Sequence, residues 1–280
     1  MKKLLIYIIT CVATFSAAAT EAVDSLWEAN PYFILMGEAD TAIAAGNWSE
    51  AVDRLNDVLA VDPSNPSNAL VYYNLGICYT YTDSDSLALA SFSRSIDIAP
   101  NMLVSRLGRG RLLLALNRDF EAYEDFDTAI RIDSLSTEAR FYHGMMALYG
   151  GRQDIAEQDF DILKQVTPHT SDTAVALSTL YSLTGRERLA VPYLRQLIAE
   201  DPQAEYYATL AGCYLALGEL SDASATITDG MKMYPNDPEL YYYRAWLNRD
   251  RYCLDEAQRD AKRAIELGAS PIKVRALFAQ

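Results

Sequence analysis

Tyr72-Tyr73-Asn74-Leu75-Gly76-Ile77-Cys78-Tyr79, followed by Asp83, Ala88, Phe92 and Pro100, is the stretch that decides the fold. Gly76 is a small residue inside an apolar run, and Ala88 follows it by twelve residues. Phe92 and Ser95 lie four and seven residues beyond Ala88, the spacing of one helical face. Pro100 closes the segment, because proline ends a helix and biases the residue before it away from helical geometry. The stretch predicts a helix, a tight turn, a second helix and a proline-marked exit.

The same arrangement returns along the chain. Ala51, Ala88, Ala122, Ala156, Ala190, Ala223 and Ala257 are separated by 37, 34, 34, 34, 33 and 34 residues. A fixed period of this size marks a solenoid of supersecondary units, each burying its apolar face on its neighbour. Twelve residues before each alanine stand Ala39, Gly76, Gly110, Gly144, Ser178, Ala211 and Ala245, all small enough to let two helices approach closely. Four residues after each alanine stand Leu55, Phe92, Phe126, Phe160, Leu194, Ile227 and Ala261. Twelve after come Pro63, Pro100, Pro168, Pro202 and Pro235, with Ser134 and Ala269 as exceptions. The turn slot holds Gly46, Asn117, Gly151, Gly185 and Gly218, residues that accept the left-handed conformation ending a helix. Asp83 and Tyr252 fill it in the second and last repeats, where the turn signal is weaker.

These residues together resemble the tetratricopeptide repeat (TPR) family, with residues 69–102 the best match. The resemblance implies an all-α chain, a right-handed α-solenoid of helix-turn-helix repeats. It places seven tandem repeats over residues 32–271, at about 32–65, 69–102, 103–136, 137–170, 171–203, 204–237 and 238–271. Three residues depart from the pattern in one place: Arg109, His143 and Arg244 stand where a leucine is usual before the small residue. Pro66-Ser67-Asn68 is inserted between the first two repeats, so a bent or looser junction is expected there. Ser270-Pro271 starts a helix. Residues 272–280 then read as a short cap, with Val274, Leu277 and Phe278 on one face.

The N-terminus has a different composition. Met1-Lys2-Lys3 precedes an apolar run from Leu4 to Ala17 and then small residues to Ala19. A basic start, a short apolar run and small residues describe a secretory signal peptide over residues 1–19, followed by a lead-in over 20–31. The run is short for a membrane span, so no integral span is expected in the mature chain. The expected location is exported, periplasmic or secreted. Ile8-Ile9-Thr10-Cys11 loosely resembles a lipobox, which gives the alternative of a cell-envelope assembly factor anchored through Cys11.

The chain carries 24 Lys and Arg against 38 Asp and Glu, a net charge of −14, and loss of Lys2 and Lys3 makes it more negative. Binding to phosphate backbones requires clustered cations, and no basic stripe is present, so nucleic acid is excluded as the expected partner. Beyond the leader only Cys78, Cys213 and Cys253 remain, an odd number that argues against a full disulfide framework. Cys78 and Cys213 share one place in their repeats and read as small buried core residues. His143 and His169 lie in different settings without further ligands at metal spacing. No HExxH, Gly-rich phosphate loop or GxSxG occurs. The chain is therefore expected to be a non-enzymatic scaffold, with no catalytic residue, metal or cofactor, that binds a protein or peptide.

In the family, the first helices line a concave face at positions one after, three before, and four or five after the small residue. The resemblance carries that face onto Tyr73, Ile77 and Tyr81 in the second repeat and Arg111 in the third. In the fourth and last repeats it carries onto Phe141, Met145, Tyr149, Tyr242 and Trp246. The fifth and sixth repeats contribute small or mild residues there, including Thr179, Ser182, Ala208 and Gly212. Tyrosine, tryptophan and arginine dominate protein-binding hot spots, so the aromatic line is the candidate partner-binding groove. Repeats that clamp a C-terminal carboxylate carry Lys, Asn and Arg at these places. Only Asn74 and Arg111 remain here, which argues against such a clamp.

Overall fold

The computed structural model describes residues 30–279. The signal peptide, the Cys11 anchor and most of the lead-in lie outside them. Among the described residues there are fifteen helices and no strand. They run α1 (Pro31–Ala44), α2 (Trp48–Val61), α3 (Asn68–Tyr81), α4 (Asp85–Ile98), α5 (Leu103–Ala115), α6 (Asp119–Ile132), α7 (Thr137–Tyr149) and α8 (Gln153–Val166). After these come α9 (Ser171–Leu183), α10 (Glu187–Glu200), α11 (Ala204–Ala216), α12 (Leu220–Met233), α13 (Pro238–Asp250), α14 (Leu254–Glu266) and α15 (Pro271–Ala276). The described residues are all-helical and form successive helix pairs.

The helices group into two compact units that divide after Ser134, the internal junction where the expected proline is missing. The first unit holds the pairs α1–α2, α3–α4 and α5–α6. The second holds α7–α8, α9–α10, α11–α12 and α13–α14, closed by α15. Within each unit the second helix of a pair also packs on the first helix of the next pair.

Each pair is closed by the same turn. All seven turn-slot residues have positive φ: Gly46, Gly151, Gly185 and Gly218 near +70°, Asp83 at 53°, Asn117 at 57° and Tyr252 at 62°. The amide of the following residue donates back to the carbonyl five residues earlier, as in Arg152 N to Ala147 O at 2.8 Å and Cys253 N to Asn248 O at 2.8 Å. This is the bond that caps a helix whose last residue turns left-handed. The weaker signals at Asp83 and Tyr252 thus make the same turn as glycine does.

The core follows a volume rule. All seven marker alanines are completely buried, and Phe92, Phe126 and Phe160, each four residues after one of them, pack under the glycine of their own first helix. Where the small residue is Gly76, Gly110 or Gly144, its counterpart is Phe92, Phe126 or Phe160. Where it is alanine or serine, the counterpart shrinks to leucine, isoleucine or alanine. A Cβ on Gly76 would stand 2.6 Å from the Phe92 ring, and one on Gly144 would stand 2.5 Å from Phe160 Cε1. The glycine is the space the ring occupies.

The departures Arg109, His143 and Arg244 have a common cause. Each meets an aspartate sixteen residues later on the paired helix. Arg109 donates to both oxygens of Asp125 at 2.7 and 2.8 Å, and Arg106 also reaches Asp125 at 3.4 Å. His143 Nδ1 lies 2.6 Å from Asp159 Oδ2, and Arg140 donates to Asp159 Oδ1 at 2.6 Å. Arg244 and Asn248 both donate to Asp260 Oδ2, at 2.8 and 3.0 Å. The first repeat uses the same two positions with the charges exchanged, Glu38 against Arg54 at 3.2 Å. Asp125 and Asp159 are almost wholly buried, which is tolerable only because each is paired and hydrogen-bonded.

Two end features complete the frame. The insertion between the first repeats is tied down, because buried Asn68 donates to Asp62 O at 2.8 Å and accepts from the Tyr32 hydroxyl at 3.0 Å. The looser junction expected there is not what the structure shows. At the other end α15 covers the last pair with Val274 and Leu277, which pack among Tyr242, Ala245, Ala261, Ala264 and Ala269. Phe278, expected on the same face, is 38% exposed.

Candidate functional site

The aromatic line divides by the packing of each ring. In the first unit Tyr73 is half-buried with its centroid 6.0 Å from that of Phe92, and Ile77 packs in the same cluster. Tyr81 is 64% exposed and stacks on Trp48 at 4.2 Å with the rings 4° from parallel. Trp48 lies in an Asn-Trp-Ser sequon, and the stack accounts for it as a packing residue. Arg111 is exposed on α5.

In the second unit Phe141 and Met145 are half-buried against the core formed by Phe160, Leu177 and Leu180. Tyr242 is 8% exposed and sits under α15, so it belongs to the core and faces no groove. Tyr149 and Trp246 do come together. They stand at opposite ends of an open groove of about 430 Å³ that runs over α9 and α11.

The groove exists because the two central helices lack bulk. First helices touch at α7–α9 and α11–α13, whereas α9 and α11 make little direct contact. On the facing sides these two helices carry Val175, Ser178, Thr179, Ser182, Thr209, Gly212 and Ala216. Large residues on both flanks, Tyr149 and Leu183 on one and Tyr206, Tyr243 and Trp246 on the other, form the walls. Gly212 serves a close approach: a Cβ there would fall 2.8 Å from Tyr243 Cε1, so glycine lets that ring lie on the α11 backbone.

The wall rings are held from behind. Tyr243 and Trp246 stack at 6.2 Å, and Trp246 Nε1 donates to Asp250 Oδ2 at 2.9 Å. Asp250 is in turn held by Arg249, which also donates to Leu277 O at 2.8 Å. Burial, and then nearby acids, push the Tyr243 hydroxyl pKa up, so the ring stays neutral. Arg249 and Asp250, which the family places on the concave face, therefore orient the tryptophan.

The floor offers little reactivity. Ser178 and Ser182 donate to carbonyls of their own helix, Val175 O and Thr179 O, both at 3.1 Å. Cys213 is buried, and burial followed by the Glu187 charge raises its thiol to about 11. It is protonated at neutral pH, whereas a reactive cysteine is a thiolate. Cys78, Cys213 and Cys253 are all free thiols. Among the described residues no group of His, Cys, Asp or Glu could hold a metal ion. No helix among them is long and apolar enough to cross a membrane. The arrangement presents rings around a shallow floor, which suits recognition of a chain segment.

Comparison with known proteins agrees with the fold. Tetratricopeptide repeat models match residues 36–102 and 183–247. A crystallised tetratricopeptide repeat protein from Parabacteroides merdae is 22% identical with a TM-score of 0.63, over 88% of this chain and 97% of that one. YrrB, described as a TPR protein with an unusual peptide-binding site, is 17% identical with a TM-score of 0.56, over 68% of this chain and 98% of that one. Among curated proteins, DnaJ homolog subfamily C member 3 of Rattus norvegicus is 22% identical over 200 residues, 71% of this chain. The match spans 36% of that relative's length.

Proposed function

From the premise that this chain is a tetratricopeptide repeat protein, we propose that it is an exported scaffold whose second unit seats a peptide segment of a protein partner. The observation that carries the reading is the groove between Tyr149 and Trp246, floored by small residues of α9 and α11. Aromatic side chains around a concave floor are of the composition that binding hot spots favour. The family fold supports a protein-binding role, and the likeness to a protein described as having a peptide-binding site points the same way. The reading assigns the chain no reaction.

Replacing Thr179 with tryptophan fills the floor while leaving the core residues untouched. Capture of a partner from native extract, read by mass spectrometry, is expected to be lost in this variant with helicity unchanged. Equal capture by the variant and the parent contradicts the groove as the binding site. Export rests on residues 1–19 and has its own test in the intact mass of the native protein. A start near Thr20 supports cleavage, and an acylated start at Cys11 supports the anchored envelope factor instead.

A further inference from the structure

The charges around the groove narrow what it accepts. Sixteen residues line it; the two charged ones, Glu187 and Glu205, are both acids, and no Lys or Arg contributes. Four other acids of the same unit are paired within the fold: Glu157 with Arg186, Glu219 with Arg188, Glu239 with Lys273 and Asp250 with Arg249. Glu187 and Glu205 take part in no ion pair among the described residues. Two cations beside the wall rings are also committed, with Lys273 over Tyr243 at 5.3 Å and Arg249 over Trp246 at 5.7 Å. Glu187 and Glu205 on the lining, and Asp201 close to the Tyr206 ring, therefore face the groove as carboxylates without an ion-pair partner among the described residues.

Resting on the groove reading above, we infer that the occupant is a cationic peptide segment, in which a bulky apolar side chain is flanked by Lys or Arg. The apolar side chain fills the space over Thr179 and Gly212 between the ring walls. The flanking cations meet Glu187 and Glu205 and lie against the faces of Tyr149 and Tyr206, where a cation is attracted to the ring. A partner segment rich in Asp or Glu meets two uncompensated carboxylates and is disfavoured, which is how like charge enforces selectivity. The negative balance of the whole chain favours encounter with the same class of partner.

The test is selection of a displayed random peptide library on the purified native protein, followed by titration of the enriched peptides. Enrichment of an aromatic or large aliphatic residue beside Lys or Arg is expected. At least tenfold weaker binding is expected when Glu187→Gln and Glu205→Gln are combined, with a steep loss in added salt. Thr179→Trp should abolish binding, and circular dichroism of both variants guards against misfolding. Peptides that need the open floor but are neutral or acidic, or that ignore the glutamines, overturn the charge inference and leave the groove reading standing. Absence of enrichment, or enrichment insensitive to Thr179→Trp, overturns both.

Discussion

Tyr252 shows how much single residues are asked to bear. It holds a left-handed backbone at φ 62° with 90% of its surface exposed, so no packing compensates the strain. Glycine avoids the steric cost of about 1–2 kcal/mol that a side chain meets there, and returns part of it through a freer unfolded chain. Tyr252→Gly is expected to raise the melting temperature, and a lower one would contradict the strain. Asp125 is the opposite case. Asp125→Ala takes the carboxylate from half-buried Arg109, which keeps only its bond to Ser93 Oγ at 2.9 Å, and should cost about 1.5–3 kcal/mol in urea unfolding. Arg109→Leu combined with Asp125→Ala should recover most of that loss, since an apolar replacement of a buried pair is often near neutral. Both partners were visible in the sequence, but their pairing was not. Arg109, His143 and Arg244 read as departures from a pattern, because the sixteen-residue spacing to an aspartate matters only once the two helices fold against each other.

At the level of elements, helix pairs were legible because their determinants are local. Turn slot and proline exit are properties of short windows, and all seven turn-slot residues do hold the left-handed turn between paired helices. The volume exchange between the first and second helix of a pair was also written in the chain. Gly144→Ala places a methyl against Phe160 and should destabilise by about 1–3 kcal/mol. Adding Phe160→Leu recreates the pairing seen at Ala39 and Leu55 and should recover part of the loss; an unchanged deficit would contradict the volume rule. The thiols carried by first helices report the same packing. Burial raises Cys78 and Cys213 to about 11, from an ordinary value of 9.0. Between those values the folded chain holds more protons than the unfolded one, so stability should fall as pH rises from about 9 to about 11. At pH 8 a thiol reagent should modify exposed Cys253 in the native chain, and Cys78 and Cys213 only after unfolding. Rapid native modification of either buried thiol would contradict their placement.

At the level of the molecule, the site was only half legible. Of the large residues that the sequence puts on this face, Tyr149 and Trp246 border the groove, whereas Tyr242, Phe141 and Met145 are wholly or partly committed to the core. Thr179, Ser182 and Gly212 were legible on the same face as small residues, but nothing in their identity says that their smallness opens the space between α9 and α11. Their signal is two successive first helices with small residues between flanks of bulky ones. An aromatic residue in a sequence does not reveal whether it fills a core or faces a void. A void is defined by the side chains that are missing, and only the packed second unit shows where it falls. Tyr243 was missed for a related reason, since its position on the groove depends on Gly212 of the preceding pair.

The central claim is that the partner sits on this floor. A photo-crosslinking amino acid placed at Thr179, and in a separate variant at Phe120, which is 75% exposed on the first unit, tests it most directly. Irradiation of the native protein with its captured partner is expected to give a covalent adduct from Thr179 and none from Phe120. An adduct from Phe120 alone, or from neither position while the partner remains bound, would contradict the groove as the binding site.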